Sequence, residues 1–274
     1  MSGPKGDWNR VRADLAQHAT ALIYARLDDW LPEAVGGPRL RALLGRDWNR
    51  FLDLTHHEVR ARFAASRVLL KFAAAAALRV RPQVVELGYT PTGRPYLLGY
   101  DGVQISLSHT EDLLLVGLAT GATIGVDAER SDRALYGPGL GRYLCTPREV
   151  ELLEALPVAE RDPALVRLWT LKEAYSKAIG LGMQFRFTGF GFDTDDTLTG
   201  VRHPDGTPGT GSEWSFRTYY LEGPFTVSVA VGDAGFGVTD DTRANTMLDA
   251  GIVDALTEAL GDEEAGPADD DEWW

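Results

Sequence analysis

Two helix-forming stretches, each accompanied by short strand-like runs, constrain this chain more than any other feature. Residues 57–80 place Phe63 and Leu70 at helical spacing within an alanine-rich run of high helix propensity, and Pro82 ends the stretch. Turn residues follow at 89–95, Tyr-Thr-Pro-Thr-Gly-Arg-Pro, and then strand-like runs over 103–108 and 113–120. A short strand over 21–26 precedes them. The second half reads as a strand over 123–129, a Gly/Pro-rich loop over 136–142, helices over 147–156 and 165–179, and strands over 214–221 and 226–231. Hairpin signals of this kind do not favour a doubly wound parallel sheet. They predict an α+β fold of two comparable halves, a duplication without visible sequence repetition.

Length and composition set the remaining bounds. With 274 residues and 44% hydrophobic content, the chain can bury a substantial core as one large domain or two smaller ones. It has no apolar run of about eighteen residues, so no membrane span is expected. Residues 1–12 are polar and lack a signal-peptide core, which points to the cytoplasm. The single cysteine, Cys145, rules out an internal disulfide. Its neighbours in Tyr-Leu-Cys-Thr-Pro supply no activating His or Lys, so it reads as a plain buried thiol. The net charge of −13 is unevenly spread: residues 233–274 carry thirteen acids against Arg243 alone, leaving the body near neutral. A near-neutral body argues against nucleic-acid binding. Residues 242–260 form an acidic amphipathic stretch with Leu248, Ile252, Leu256 and Leu260 at i+4 spacing, and the end beyond 261 reads as disordered.

Four motifs carry chemistry. Asp127 and Glu129, in Ile-Gly-Val-Asp-Ala-Glu, alternate along a strand and leave one face. With Glu173 from a facing helix they would suit a hard divalent cation, although Asp-x-Glu is equally an ordinary surface pair. Lys172, Glu173 and Lys177 share one helical segment. Glu173 and Lys177 could be a plain i,i+4 ion pair, or the lysines could neutralise a phosphate. Ser108 and His109 end a strand in Ile-Ser-Leu-Ser-His and can present hydroxyl, imidazole and backbone N–H to an anion, or be structural. Gly93-Arg94-Pro95 is a rigid turn whose arginine can meet phosphate or adenine. Neither a Walker-type phosphate loop nor a dinucleotide fingerprint is present.

In their order, Gly93-Arg-Pro, Ile105-Ser-Leu-Ser-His, Ile124-Gly-Val-Asp-Ala-Glu and Trp169-Thr-Leu-Lys-Glu-Ala-Tyr-Ser-Lys-Ala-Ile-Gly closely resemble the surfactin-type 4′-phosphopantetheinyl transferases. The likeness extends over residues 20–232; the acidic tail has no counterpart. It implies a monomeric pseudo-dimer of two α+β halves, residues 1–121 and 122–232, with coenzyme A and Mg²⁺ (Mn²⁺ as an alternative) in the cleft between them. Residues 233–274 would be an appended acidic helix and tail.

The implied reaction moves the phosphopantetheine arm onto a serine of an acyl or peptidyl carrier protein, serving polyketide, non-ribosomal peptide or fatty acid synthesis, and releases adenosine 3′,5′-bisphosphate. By the same resemblance Asp127, Glu129 and Glu173 are metal ligands, with Glu173 also a candidate base. Lys172 and Lys177 face phosphate, Ser108 and His109 hold the nucleotide end, and Arg62, Arg94 and Pro95 add nucleotide contacts. Arg46 and Arg50 match the family's remaining basic residues only loosely, and Glu149 matches a family glutamate although Leu144 and Cys145 replace its aromatic lead-in. Met183, Phe185 and Phe187 would either dock the carrier or join the core. Two other classes fit parts of the pattern: a non-catalytic coenzyme A- or carrier-binding module, and a metal-dependent coenzyme A pyrophosphate hydrolase.

Overall fold

The computed structural model describes residues 3–31, 37–136, 141–181, 186–193 and 200–233. Met183, Phe185 and the amphipathic stretch at 242–260 lie outside them.

The chain is an α+β structure in which each of two three-stranded antiparallel sheets carries one 22-residue helix. It opens with α1 (Trp8–His18), whose first turn is capped by Asp7 accepting from Asn9 N at 3.0 Å. The first sheet has the order β1–β5–β4, from β1 (Thr20–Arg26), β4 (Val103–Thr110) and β5 (Leu113–Thr120). Between β1 and β4 come the short helices α2 (Pro38–Leu44) and α3 (Trp48–Asp53), then α4 (His57–Leu78) and the ribbon of β2 (Leu87–Tyr89) with β3 (Pro95–Leu97). The predicted 89–95 turn is the tip of this ribbon. The second sheet, β6–β8–β7, is built from β6 (Ala122–Arg130), β7 (Trp214–Leu221) and β8 (Phe225–Asp233). Its helices are α5 (Gly141–Leu144), α6 (Pro147–Ala155) and α7 (Val158–Ile179).

β5 explains how the sheets are stacked. Its side chains alternate between two cores: Leu114, Val116 and Leu118 pack with α4, while Leu113, Leu115 and Ala119 pack with Ile124, Val126 and Ala128 of β6 and Phe225, Val227 and Val229 of β8. A strand buried on both faces needs a continuous apolar run, and 113–119 is one. Each fully buried leucine contributes roughly 1.5–3 kcal/mol.

On β6 the alternation puts Ile124, Val126 and Ala128 into the inter-sheet core and turns Gly125, Asp127 and Glu129 to the other face. That face meets α7 at Gly125, where an added Cβ would lie 1.8 Å from Ala174 O. Only glycine lets strand and helix backbones approach so closely. The third core surrounds α7 and gathers Phe187, Phe190, Phe192 and Phe216. Phe187 is therefore a core residue, 8% exposed.

Two elements start or stop elsewhere than the sequence predicts. The α4 helix ends at Arg79, whose left-handed φ of 58° caps it before Pro82 is reached. The α7 helix begins seven residues earlier than expected and carries Pro163 within its second turn. The sequence reading gave no helix to α1, although Trp8, Val11 and Leu15 stand at helical spacing, and the short α2 and α3 carry too few turns for a period to show.

Candidate active site

The two sheets meet along β4 and β6, where serine side chains take the place of main-chain partners. Ser106 Oγ accepts from Val126 N at 3.0 Å, and Ser108 Oγ accepts from Ala128 N at 3.3 Å. Ser108 Oγ also donates to Asp127 Oδ1 at 2.7 Å. Lys177, reaching across from α7, donates to the same Oδ1 at 2.6 Å and lies 3.4 Å from Ser108 Oγ. One carboxylate oxygen thus ties β4, β6 and α7 together.

Glu173 stands one helical turn before Lys177 and faces the same place. It is 7% exposed, and its Oε1 has no hydrogen-bond partner. Burial, with the nearby Asp127 charge, pushes its carboxyl up to about 7, against the pull of Lys177. Burial alone would lower the Lys177 ammonium, but Asp127 and Glu173 together hold it above its ordinary value. The expected i,i+4 pair is therefore not the main contact, since the Lys177 hydrogen bond goes to Asp127. Glu129 is engaged beside them: Oε1 accepts from Thr110 Oγ1 at 3.0 Å and Arg130 N at 2.8 Å, and Oε2 pairs with Arg133. Among the described residues no three His, Cys, Asp or Glu side chains cluster closely enough to hold a metal ion. The donors that do fit a hard cation are the Asp127 carboxylate and the orphaned Glu173 Oε1.

Lys172 requires a correction. It faces no open site, being 1% exposed, and its Nζ donates to Glu149 Oε2 at 2.6 Å and to the carbonyls of Phe187 (2.6 Å), Phe190 (2.7 Å) and Leu144 (2.8 Å). An ammonium has three protons, so no donor remains for phosphate. Glu149, equally buried, closes a capping box with Thr146 and accepts from Phe192 N at 2.9 Å. The pair knots α6, α7 and the 187–192 segment together. Cys145 beside it is buried, its thiol pushed up to about 12 by burial and by Glu149, against the pull of Lys172.

Arg94 also has a structural duty. Its guanidinium donates to Ala178 O at 2.9 Å and Gln104 Oε1 at 3.3 Å, while Thr92 Oγ1 donates to Gly180 O at 2.6 Å. The turn therefore caps the negative end of α7, which Gly180 finishes at φ 82°. Pro95 lines a cavity of about 40 Å³ shared with Lys177 and Ser106. A larger cavity, about 650 Å³, lies away from these groups beside Trp8, Phe72 and Arg79.

Ser108 and His109 do not converge, because neighbours on a strand point to opposite faces. Ser108 meets Asp127, whereas His109 turns towards α4. There burial, then the charges of Arg62, Arg67 and Lys177, press its imidazole down to about 4. Arg62 Nε is buried without a partner. A histidine lowered on folding costs stability as pH falls, since the unfolded chain takes up the proton first. Between pH 6.5 and 4 the wild type should lose about 3 kcal/mol more than His109→Gln in urea unfolding. Parallel pH profiles would contradict this environment.

Sequence reading missed Arg67, Ser106 and Thr110. For Arg67 a signal existed: with Lys71 it forms an i,i+4 pair of cations inside the buried 63–76 run of α4.

A model of the 4′-phosphopantetheinyl transferase superfamily matches residues 123–230. A protein named phosphopantetheinyl transferase from Thraustochytrium sp. is 30% identical over 220 residues, 75% of this chain and 76% of that one. The 4′-phosphopantetheinyl transferase HetI of Nostoc sp. is 35% identical over 138 residues, 49% of this chain and 57% of its own length. The 4′-phosphopantetheinyl transferase of Bacillus subtilis is 23% identical over 182 residues, 66% of this chain and 78% of that one. The chain thus spans little more than half of the Nostoc protein and about three quarters of the other two.

Proposed function

The chain belongs to the 4′-phosphopantetheinyl transferase superfamily, a family of transferases, and we propose that it transfers the 4′-phosphopantetheine arm of coenzyme A to a serine of an acyl or peptidyl carrier protein. The observation that carries this reading is the meeting of Ser108, Lys177 and Asp127 at one carboxylate oxygen, beside an orphaned Glu173. On this reading residues 1–121 and 122–232 are the two halves of a pseudo-dimer of the surfactin type, residues 233–274 are an appended acidic segment, and the substrate lies in a cleft along the β4–β6 seam. The protein works as a cytoplasmic monomer on carriers of polyketide, non-ribosomal peptide or fatty acid synthesis.

Asp127 and Glu173 would hold Mg²⁺, joined by Glu129 once it releases Arg133; when bound, the cation neutralises the pyrophosphate and polarises its phosphorus. Lys177, kept charged by its two acids, stabilises the negative charge that gathers on the leaving group. Glu173, whose carboxylate faces the same place as Lys177 and Asp127, takes the serine proton. The serine oxygen bonds to the β-phosphorus as the bond from that phosphorus to the bridging oxygen breaks. The electron pair leaves with adenosine 3′,5′-bisphosphate.

Chromatography of the nucleotide product tests the reading. Adenosine 3′,5′-bisphosphate should appear only when an apo carrier protein is present. Release without carrier would make the protein a pyrophosphate hydrolase, and no release with carrier would make it a binding module.

A further inference from the structure

The cavity of about 650 Å³ belongs to no part of the proposed site. It is a groove between α1 and the end of α4. Trp8 and Phe72, with ring centres 6.0 Å apart, line it together with Ala75, Ala76, Val80 and Pro82. The indole is held firmly: its Nε1 donates to Pro4 O at 3.0 Å, and its ring meets that of Trp30 edge-on at 5.9 Å. Arg12 and Arg79 stand among these apolar groups. Among the described residues Arg12 bonds to Asn9, and neither arginine makes an ion pair. A groove of this size, apolar but edged by two cations without carboxylates, suits an amphipathic segment that carries acids.

The chain carries such a segment itself. Leu248, Ile252, Leu256 and Leu260 recur every four residues, and Asp262, Glu263 and Glu264 follow at once. Charge favours the meeting: residues 1–100 hold fifteen Lys and Arg against nine Asp and Glu, whereas 233–274 hold thirteen acids against one arginine. Position favours it too. Asp233, the last described residue, pairs with Ala122, two residues after Thr120, whose N donates to Ala19 O at 2.8 Å. Ala19 is the C-cap of α1. The chain beyond 233 therefore sets out beside α1, whose eleven residues measure about 16 Å. Residues 234–241 span up to about 28 Å when extended, enough to bring the segment that follows back along α1 to Arg12 and Trp8.

We propose that residues 242–264 dock in the groove between α1 and α4, with the leucine and isoleucine row on Trp8 and Phe72 and the acids 262–264 against Arg12 and Arg79. The segment is then a strap that the chain lays over its own N-terminal half. The inference stands apart from the transferase reading. Hydrogen exchange of the full chain, followed by mass spectrometry with a melting curve for every variant, tests it. In the wild type the amides of 242–260 should exchange at least about tenfold more slowly than an unstructured chain. Arg12→Glu with Arg79→Glu should bring them within about twofold of the unstructured rate. Adding Asp262→Lys, Glu263→Lys and Glu264→Lys to that chain should recover most of the protection, because the pairs are reversed together. Leu256→Asp, a change outside the body, should also release the segment and speed exchange in α1 about threefold. Unstructured exchange over 242–260 in the wild type overturns the proposal. So does protection that survives the arginine reversals or is not recovered by the added lysines. Protection that fades on dilution also overturns it, since the groove would then be filled by a second copy.

Discussion

Replacing Glu173 by glutamine is expected to reduce kcat by about a hundredfold or more and, at pH 8 without metal, to raise the melting temperature. The loss follows from removing a proton acceptor and an anionic donor while leaving the volume unchanged; general bases contribute roughly 10²–10⁴-fold. The gain follows from the environment of the carboxyl. Its pKa rises to about 7 on folding because the charged form is buried beside Asp127. The unfolded chain releases this proton at lower pH than the folded one, so stability falls as pH climbs from about 4.5 through 7. A neutral amide escapes that cost, which is on the order of 1–3 kcal/mol. A residue that is unfavourable for folding and still present is what a working site requires. Calorimetric melts at pH 5 and pH 8 check it: the stabilisation should be present at pH 8 and much smaller at pH 5. A glutamine variant with near wild-type turnover would remove Glu173 from the chemistry.

Lys172→Met is expected to act in the opposite way, on the fold. It strips the cation from a fully buried pair and leaves the Glu149 carboxylate, with three carbonyl oxygens, short of a donor. Breaking such a pair costs about 3–5 kcal/mol. In a protein of this size that lowers the melting temperature by roughly 6–20 °C. The double replacement Lys172→Met with Glu149→Leu should recover a large part of the loss, because no lone charge remains buried. Lys177→Met provides the contrast: its melting temperature should move much less, while transfer is lost. If Lys172→Met melts like the wild type but binds coenzyme A poorly, the ammonium reaches the substrate after all.

These two lysines show what the sequence could and could not convey. Alternation placed Asp127 and Glu129 on one strand face, and Gly125 between strand and helix explains why that face opens towards α7. The i,i+4 spacing of Glu173 and Lys177 put them on one side of α7. Lys172 looked like their equal because the motif sets all three in one line. Its actual partners, the carbonyls of Phe187 and Phe190, come from a segment fifteen and eighteen residues further on, whose return against α7 has no local signal. Glu129 is similar: it accepts from Thr110 of β4, nineteen residues earlier, and no local signal pairs the two. The strand and helix assignments were legible because they rest on local period. The division of charged residues between site and scaffold depends on contacts between distant segments.

The central claim is that Asp127, Glu173 and Lys177 form the site that transfers phosphopantetheine. Intact-mass measurement of an apo carrier protein, incubated with coenzyme A, Mg²⁺ and the full chain, tests it most directly. The account predicts a phosphopantetheine-sized gain on the carrier, mapped by fragmentation to one serine, that disappears with Asp127→Asn. A carrier of unchanged mass, or a gain that persists in that variant, would contradict it.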